Sequence, residues 1–203
     1  MSSRPRLLTN PRLHNGRLLL TPENPMATAG LSCLSAVLQE GGLIGAAPSA
    51  QPMRFGPGDR LFEYIGFTGC AVQLDQAPGS PHAFAMGLEG PFEAPQLRSG
   101  RNSRPPRCPE CRSAVSIWRQ QLDPETGTDT GTNSDHASDI LSCTSCGARS
   151  PGWQWNWGRH AGFGRLFIGI EPVFPGEGRP LPALFNLLER VEIGPWRYFY
   201  IQD

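Results

Sequence analysis

The chain contains no lysine, because all 18 of its basic residues are arginine. Without lysine the protein cannot form a Schiff base with a carbonyl substrate or use a neutral amine side chain as a general base. The arginines are matched by 18 acidic residues, so the formal net charge is zero. A neutral chain has no overall field that attracts nucleic acid or anionic lipid, and any such binding has to come from a local patch.

The sequence also lacks a long apolar run. No stretch approaches the roughly 20 apolar residues that a bilayer-spanning helix needs, which predicts a protein that does not cross a membrane. The arginine-rich beginning of the chain contains Pro5 and Pro11, which interrupt the amphipathic helix typical of a transit peptide. We therefore expect a cytoplasmic protein.

Signatures of common catalytic sites are missing. The sequence has no phosphate-binding loop, no nucleophile elbow and no HExxH motif. The glycines of GFGR (162–165) precede a predicted strand rather than a helix, which is not the arrangement of a dinucleotide-binding turn. We expect a non-enzymatic protein, with an enzyme whose pocket lies in the main body as an alternative.

The sequence predicts an α+β protein. Apolar periodicity predicts helices over Leu31–Gln39 and Pro182–Glu192, and the β-forming residues of Trp196–Gln202 predict a closing strand. Further predicted elements are a short helix whose apolar face covers 61–67 and strands over 82–89 and 164–173. The order strand, helix, strand after residue 164 predicts a crossover unit, and hence a small mixed sheet with helices on one face. We assign 1–97 and 159–203 to this body and 98–158 to an inserted subdomain.

Four of the six cysteines form two CxxC pairs. Cys108 and Cys111 are separated from Cys143 and Cys146 by 31 residues. Two residues between cysteines allow a tight turn to direct both thiolates at one ion, and two such turns complete a tetrahedral shell of four sulfurs suited to zinc or iron. The alternatives are redox dithiols or two structural disulfides, and disulfides need an oxidising compartment that nothing in the sequence indicates. The lone Cys33 and Cys70 are expected to be small core residues.

The segment around these pairs resembles a zinc ribbon. CPEC, the strand-like SAVSIW, CTSCG and the strand-like GWQWNW carry the resemblance, over roughly residues 105–158. It implies a metal-nucleated pair of β-hairpins with Cys108, Cys111, Cys143 and Cys146 as ligands of one structural zinc ion. Ribbons often have about 15–20 residues between the pairs, and we assign the excess to a mobile loop over 123–139. The gap and the DPETG run (123–127) also resemble rubredoxin, although Arg112 stands where its first knuckle has glycine.

Arginines and tryptophans accompany the cysteines as candidate partner-binding residues. Arg98, Arg101, Arg104 and Arg107 recur every third residue, so a polyproline II segment would align them along one edge. Arg112 follows in the first cysteine turn, and Trp153, Trp155 and Trp157 would share one side of a strand. Guanidinium groups beside aromatic rings are typical of single-stranded nucleic acid binding. The alternatives are that the arginines pair with the acidic loop and that the tryptophans pack the ribbon onto the body.

These observations predict a non-enzymatic binding or adaptor module whose arginine-rich arm is held by a structural zinc ribbon. We expect its partner to be another protein, with single-stranded nucleic acid as an alternative. A second hypothesis is a rubredoxin-like electron-transfer protein that binds iron instead of zinc.

Overall fold

The computed structural model describes residues 16–46, 53–68, 84–122 and 140–202. The strands are β1 (Gly16–Pro22), β2 (Arg54–Phe55), β3 (Ile65–Phe67), β4 (Ala85–Glu89), β5 (Gln96–Ser99), β6 (Ile140–Ser142), β7 (Arg149–Pro151), β8 (Ala161–Gly164), β9 (Phe167–Glu171), β10 (Gly178–Pro180) and β11 (Trp196–Gln202). The helices are α1 (Leu31–Glu40), α2 (Leu61–Tyr64), α3 (Trp118–Leu122) and α4 (Pro182–Glu189), with a 3-10 turn at Gly152–Gln154. The predicted α+β class is confirmed.

The largest sheet has five strands in the order β11-β1-β9-β4-β2. The apolar run Leu18–Leu20 makes β1 its best-buried strand, and β1 pairs antiparallel with both β11 and β9. Because β9 and β11 are each antiparallel to β1, they run in the same direction, and α4 lies between them in sequence. The expected crossover unit is therefore present, but β1 separates its two strands. As a result, every pairing between the described strands is antiparallel, so the expectation of a mixed sheet was wrong.

The helices α1, α2 and α4 pack on one face of this sheet, as predicted. The apolar stripes of α1 and α4 bury Leu34 and Leu188 in one cluster with Leu20, Ile168 and Met86 from the sheet. Full burial of one such side chain contributes about 1.5–3 kcal/mol, so this cluster supplies most of the apolar stabilisation of the body. Among the described helices, none combines the length and apolarity that crossing a bilayer requires.

The opposite face of the sheet is covered by the two-stranded ribbon β5–β8. Its apolar contacts are few, with Leu19, Phe167, Phe199 and Ile201 forming a separate small cluster. The ribbon approaches closely because it has glycine at two positions of β8: a Cβ on Gly164 would overlap Thr21 Oγ1, and a Cβ on Gly162 would overlap the side chain of Arg197.

Three predicted elements differ from the structure. The helix expected over 61–67 ends at Tyr64, because Ile65–Phe67 pairs with β10 as β3. The strand expected over 164–173 is present as the shorter β9, and Gly164 belongs instead to the end of β8, which pairs with β5. Cys33 is exposed on α1, whose buried side is formed by Leu34 and Leu38, so it is not a core residue.

The segment that carries the two CxxC pairs (98–158), which we call the cysteine segment, leaves and rejoins the body through β5 and β8. These two strands pair with each other. Backbone and amide groups attach its base to the free edge of β11. Asn102 donates to Tyr200 O at 3.0 Å and accepts from Gln202 N at 2.9 Å, and Arg101 N donates to Gln202 O at 2.8 Å. The cysteine segment is thus tied to the edge of the main sheet at its base.

Candidate metal centre

The four cysteines of the CxxC pairs meet at one point. Their Sγ atoms all lie within 4.8 Å of one another, with Cys108–Cys146 at 3.7 Å and Cys111–Cys143 at 3.6 Å. The sulfurs of a disulfide are about 2.05 Å apart, whereas four sulfurs at about 2.3 Å from a tetrahedral zinc are about 3.8 Å apart. The two closest spacings therefore exclude disulfides between these pairs and are compatible with a four-thiolate metal site, and these cysteines are free thiols.

The first knuckle (108–113) is a tight turn closed by two backbone hydrogen bonds. Arg112 N donates to Cys108 O at 2.9 Å, and Cys108 N donates to Ser113 O at 2.9 Å. Closing the turn places Arg112 in the left-handed region at φ 62°. Rubredoxin has a glycine at this position of its first knuckle. Here the position is occupied by an arginine, which adopts the backbone conformation that glycine favours.

The second knuckle (143–148) repeats this geometry residue for residue. Gly147 N donates to Cys143 O at 3.0 Å, Cys143 N donates to Ala148 O at 2.8 Å, and Gly147 has φ 77°. In addition, Ser145 N lies 3.4 Å from Cys143 Sγ. An N–H directed at sulfur favours the thiolate, which is the form that binds a metal. Two matching turns that face each other are the arrangement the CxxC spacing predicts.

The site lies at the surface with one half buried. Cys108 and Cys143, the first cysteine of each knuckle, are 1% and 3% exposed, whereas Cys111 and Cys146 are exposed. One edge of the sulfur tetrahedron therefore rests on the protein interior and the opposite edge faces solvent.

The surroundings favour thiolates on part of this set. Hydrogen bonds from Ser113 lower the pKa of the Cys111 thiol to about 6. Backbone N–H groups of Cys146 and of the residue before it lower the pKa of Cys143. The N–H of Ala148 also favours the thiolate of Cys146, but the adjacent sulfur of Cys111, desolvation and the other thiols outweigh it and raise the pKa of Cys146 to about 12. A cation at the centre would offset this repulsion.

An apolar cluster supports the buried edge. It consists of Leu97, Cys108, Val115, Trp118, Leu122, Leu141, Cys143, Trp155, Trp157, Ala161 and Phe163, all at most 5% exposed. Trp157 lies at its centre, with ring centroids 4.9 Å from Trp118 and 5.6 Å from Phe163. The cluster shares no residue with the core beneath the helices, so the cysteine segment has an apolar core of its own.

Gln121 of α3 fixes the strand that leads into the second knuckle. Its amide accepts from Ser142 N at 2.8 Å and donates to Ser142 O at 3.2 Å, which replaces the strand neighbour that β6 lacks on this side. Sequence analysis missed this residue, because a lone glutamine on a short helix carries no signal of its own.

The tryptophans do not share one side of a strand, contrary to the sequence-based prediction. The 3-10 turn at Gly152–Gln154 interrupts the extended chain, and Trp155 and Trp157 are each 3% exposed. Their indole N–H groups donate to Ser150 O at 3.2 Å and Gly152 O at 2.8 Å. Trp153 is half-buried against the same cluster. The structure therefore places these rings in packing positions, so Trp155 and Trp157 have no free face for a partner.

The arginines separate into a buried one and several exposed ones. Arg98 is 4% exposed, donates to Glu89 Oε2 at 2.8 Å, and lies 5.1 Å and 5.0 Å from the ring centroids of Phe92 and Phe167. It therefore cannot share an exposed edge with the later arginines, because it belongs to β5 rather than to a polyproline segment. The exposed members of the predicted set are Arg101, Arg104, Arg107 and Arg112.

The mobile loop predicted over 123–139 lies outside the described residues, as does Cys70. Comparison of the chain with models of protein families, with curated proteins and with solved structures finds no match. The function therefore has to be argued from the site itself, which could hold one metal ion and whose sulfur set suits zinc and iron alike.

Proposed function

We propose that the protein is a non-enzymatic binding module in which one structural zinc ion, held by Cys108, Cys111, Cys143 and Cys146, fixes the cysteine segment as a recognition surface. The observation that carries the proposal is the pair of sulfur–sulfur distances across the knuckles, 3.7 Å and 3.6 Å, which match the edges of a zinc–thiolate tetrahedron. Four thiolates complete the shell and leave no open position for a catalytic water. The exposed Arg104, Arg107 and Arg112 supply the surface beside the knuckles with positive charge.

A structural role follows from how little else holds the segment together. Its described secondary structure is one five-residue helix, two three-residue strands and a 3-10 turn, around its own apolar cluster. Binding of structural zinc contributes on the order of 10 kcal/mol to folding, which is enough to order such a segment. We propose residues 98–158 as a subdomain whose folding depends on the metal. The site needs reduced thiols, which the cytoplasm maintains, so we propose a cytoplasmic location.

The test compares Cys108→Ser with Cys33→Ser, a control that removes a thiol far from the site in sequence. Trp118, Trp155 and Trp157 lie in the apolar cluster next to the cysteines, whereas Trp196 lies in the main core. We expect Cys108→Ser to shift tryptophan emission to the red and to open the segment to proteolysis, while the far-ultraviolet circular dichroism of the body persists. Cys33→Ser should behave as the parent protein does. If Cys108→Ser retains the parent emission and protease resistance, the metal is not structural.

Electron transfer by a bound iron is the second candidate, and the exposed edge of the site supports it. An electron carrier needs part of its centre near solvent, and Cys111 and Cys146 are both exposed. Their sulfurs would place a bound iron close to the surface beside the exposed arginines, which could dock an acidic partner. The test is a reductive titration of the purified protein: reversible bleaching of a visible thiolate-to-iron band supports iron, and a spectrum without such a band rules it out.

A further inference from the structure

The arginines of the described chain fall into two groups by their ion pairs. On the body, arginines pair with glutamates: Arg54 with Glu171 at 2.6 Å, Arg60 with Glu63 at 2.6 Å, Arg98 with Glu89 at 2.8 Å and Arg190 with Glu40 at 2.6 Å. In the described ranges, the arginines that are exposed and make no ion pair are Arg104, Arg107, Arg112, Arg149, Arg159 and Arg179. The overall charge is zero, but within the described ranges no carboxylate pairs with these exposed guanidinium groups.

Two hydrogen bonds locate the first part of this group. Arg107 Nη1 donates to Arg112 O at 3.3 Å, so the two residues meet at the first knuckle. Arg104 lies three residues before Arg107, and the hydroxyl of the adjacent Ser103 donates to His160 O at 2.6 Å. This bond brings Arg104 beside residues 159 and 160. The positive charge of Arg104 there contributes, after desolvation, to the lowered pKa of His160.

The second part continues along the edge of the main sheet. Tyr200 N donates to Arg159 O at 3.0 Å, and the guanidinium of Arg159 lies 5.1 Å from the ring centroid of Tyr198. The hydroxyl of Tyr200 donates to Gly178 O at 2.7 Å, which holds the adjacent Arg179 on the same side. We call Arg112, Arg107, Arg104, Arg159 and Arg179 the arginine stripe. It runs from the first knuckle to β10, with the partly buried ring of Tyr198 beside it.

We propose that the arginine stripe binds a single-stranded nucleic acid, with the phosphates along the guanidinium groups and a base against Tyr198. A row of cations beside an aromatic face is how proteins bind such strands without reading their sequence. An acidic peptide would use the cations but has no comparable use for the ring. This inference rests on the proposed function, because the metal-held first knuckle positions Arg107 and Arg112. It differs from the sequence-based expectation, in which the buried Trp155 and Trp157 supplied the aromatic face.

The test measures, by fluorescence anisotropy across a salt series, the binding of a fluorescein-labelled oligothymidine. The probe has about 15 nucleotides, which is near the upper site size of single-strand binding folds. Five phosphate contacts predict a slope of log K against log salt near −3.5, at about −0.7 per contact. Arg104→Gln and Arg159→Gln should each weaken binding and make the slope shallower by about 0.7. The matched controls Arg60→Gln and Arg190→Gln remove exposed arginines of the body and should change neither. Tyr198→Leu should weaken binding about tenfold with the slope unchanged.

Three results would overturn the proposal: no binding at low salt, equal losses in the stripe and control variants, or tighter binding of a labelled polyglutamate than of the oligonucleotide. The last result would identify an acidic protein as the partner. Metal content, measured on every sample, separates this inference from the proposed function. Zinc-loaded protein that fails to bind the oligonucleotide refutes the stripe alone, whereas protein without metal refutes the metal site.

Discussion

The two knuckles provide a paired test, because they have the same turn with different residues in its left-handed position. Arg112 has φ 62° and Gly147 has φ 77°. A side chain in this region costs about 1–2 kcal/mol, while glycine gives the unfolded chain about 0.4–1 kcal/mol of extra entropy. Arg112→Gly should therefore stabilise the knuckle by about 0.5–1 kcal/mol. A Cβ on Gly147 meets nothing within 4 Å, so Gly147→Ala adds strain without a clash and should destabilise by the same amount.

Turn stability is part of metal affinity when binding and folding are coupled, and about 1.4 kcal/mol corresponds to a tenfold change. Competition with a chromophoric chelator should thus show affinity rising about twofold to fivefold for Arg112→Gly and falling by a similar factor for Gly147→Ala. Arg112→Ala keeps the Cβ but removes the guanidinium, and its affinity should match that of the parent. If Arg112→Gly and Arg112→Ala shift affinity equally, the cause is the side chain and the conformational reasoning is wrong.

Two further predictions concern the body of the protein. Glu89→Ala leaves the Arg98 side chain, which is 5% exposed, without its carboxylate partner. The free energy of unfolding in urea should fall by about 2 kcal/mol. This loss is smaller than for a fully buried pair because the Glu89 side chain is 32% exposed. Glu63→Ala breaks the exposed pair with Arg60 and should cost under about 0.5 kcal/mol; similar losses in both variants would contradict the structural role of Arg98. Gly164→Ala should lose about 2–3 kcal/mol by forcing β8 away from Thr21, whereas Gly87→Ala, where a Cβ meets nothing within 4 Å, should be near neutral in the same unfolding assay.

Local sequence patterns correctly predicted helices and strands whose own residues favour the structure that they adopt. The helix predicted from the apolar stripe of Leu31–Gln39 and the strand predicted from the β-forming residues of Trp196–Gln202 are confirmed as α1 and β11. The residues of Ile65–Phe67 also have helical spacing, but they form a strand. Pairing with β10 satisfies the hydrogen-bonding groups of their backbone in that conformation. That competition depends on residues more than 100 positions away, which no local window contains.

The clustering of the four cysteines was predicted from the sequence, whereas the burial of the residues around them was not. The CxxC spacing confines two sulfurs to one turn, so the clustering of Cys108, Cys111, Cys143 and Cys146 follows from short-range geometry. The exposure of Arg98 and Trp157 depends instead on what packs against them, and both are buried. Likewise, Arg159 and Tyr198 are distant in sequence and meet only because β11 runs beside the end of the cysteine segment.

The measurement that tests the central claim most directly is the metal content of the protein as purified under reducing conditions from medium supplied with both zinc and iron, with the visible spectrum of the same sample. We expect one zinc ion per chain and no visible absorbance. The metal should be lost in Cys108→Ser and retained in Cys33→Ser. If the protein contains iron and shows strong visible bands, the site is an electron-transfer centre and the proposal of a structural zinc is wrong. Protein that carries no metal while its four cysteines stay reduced would contradict the account.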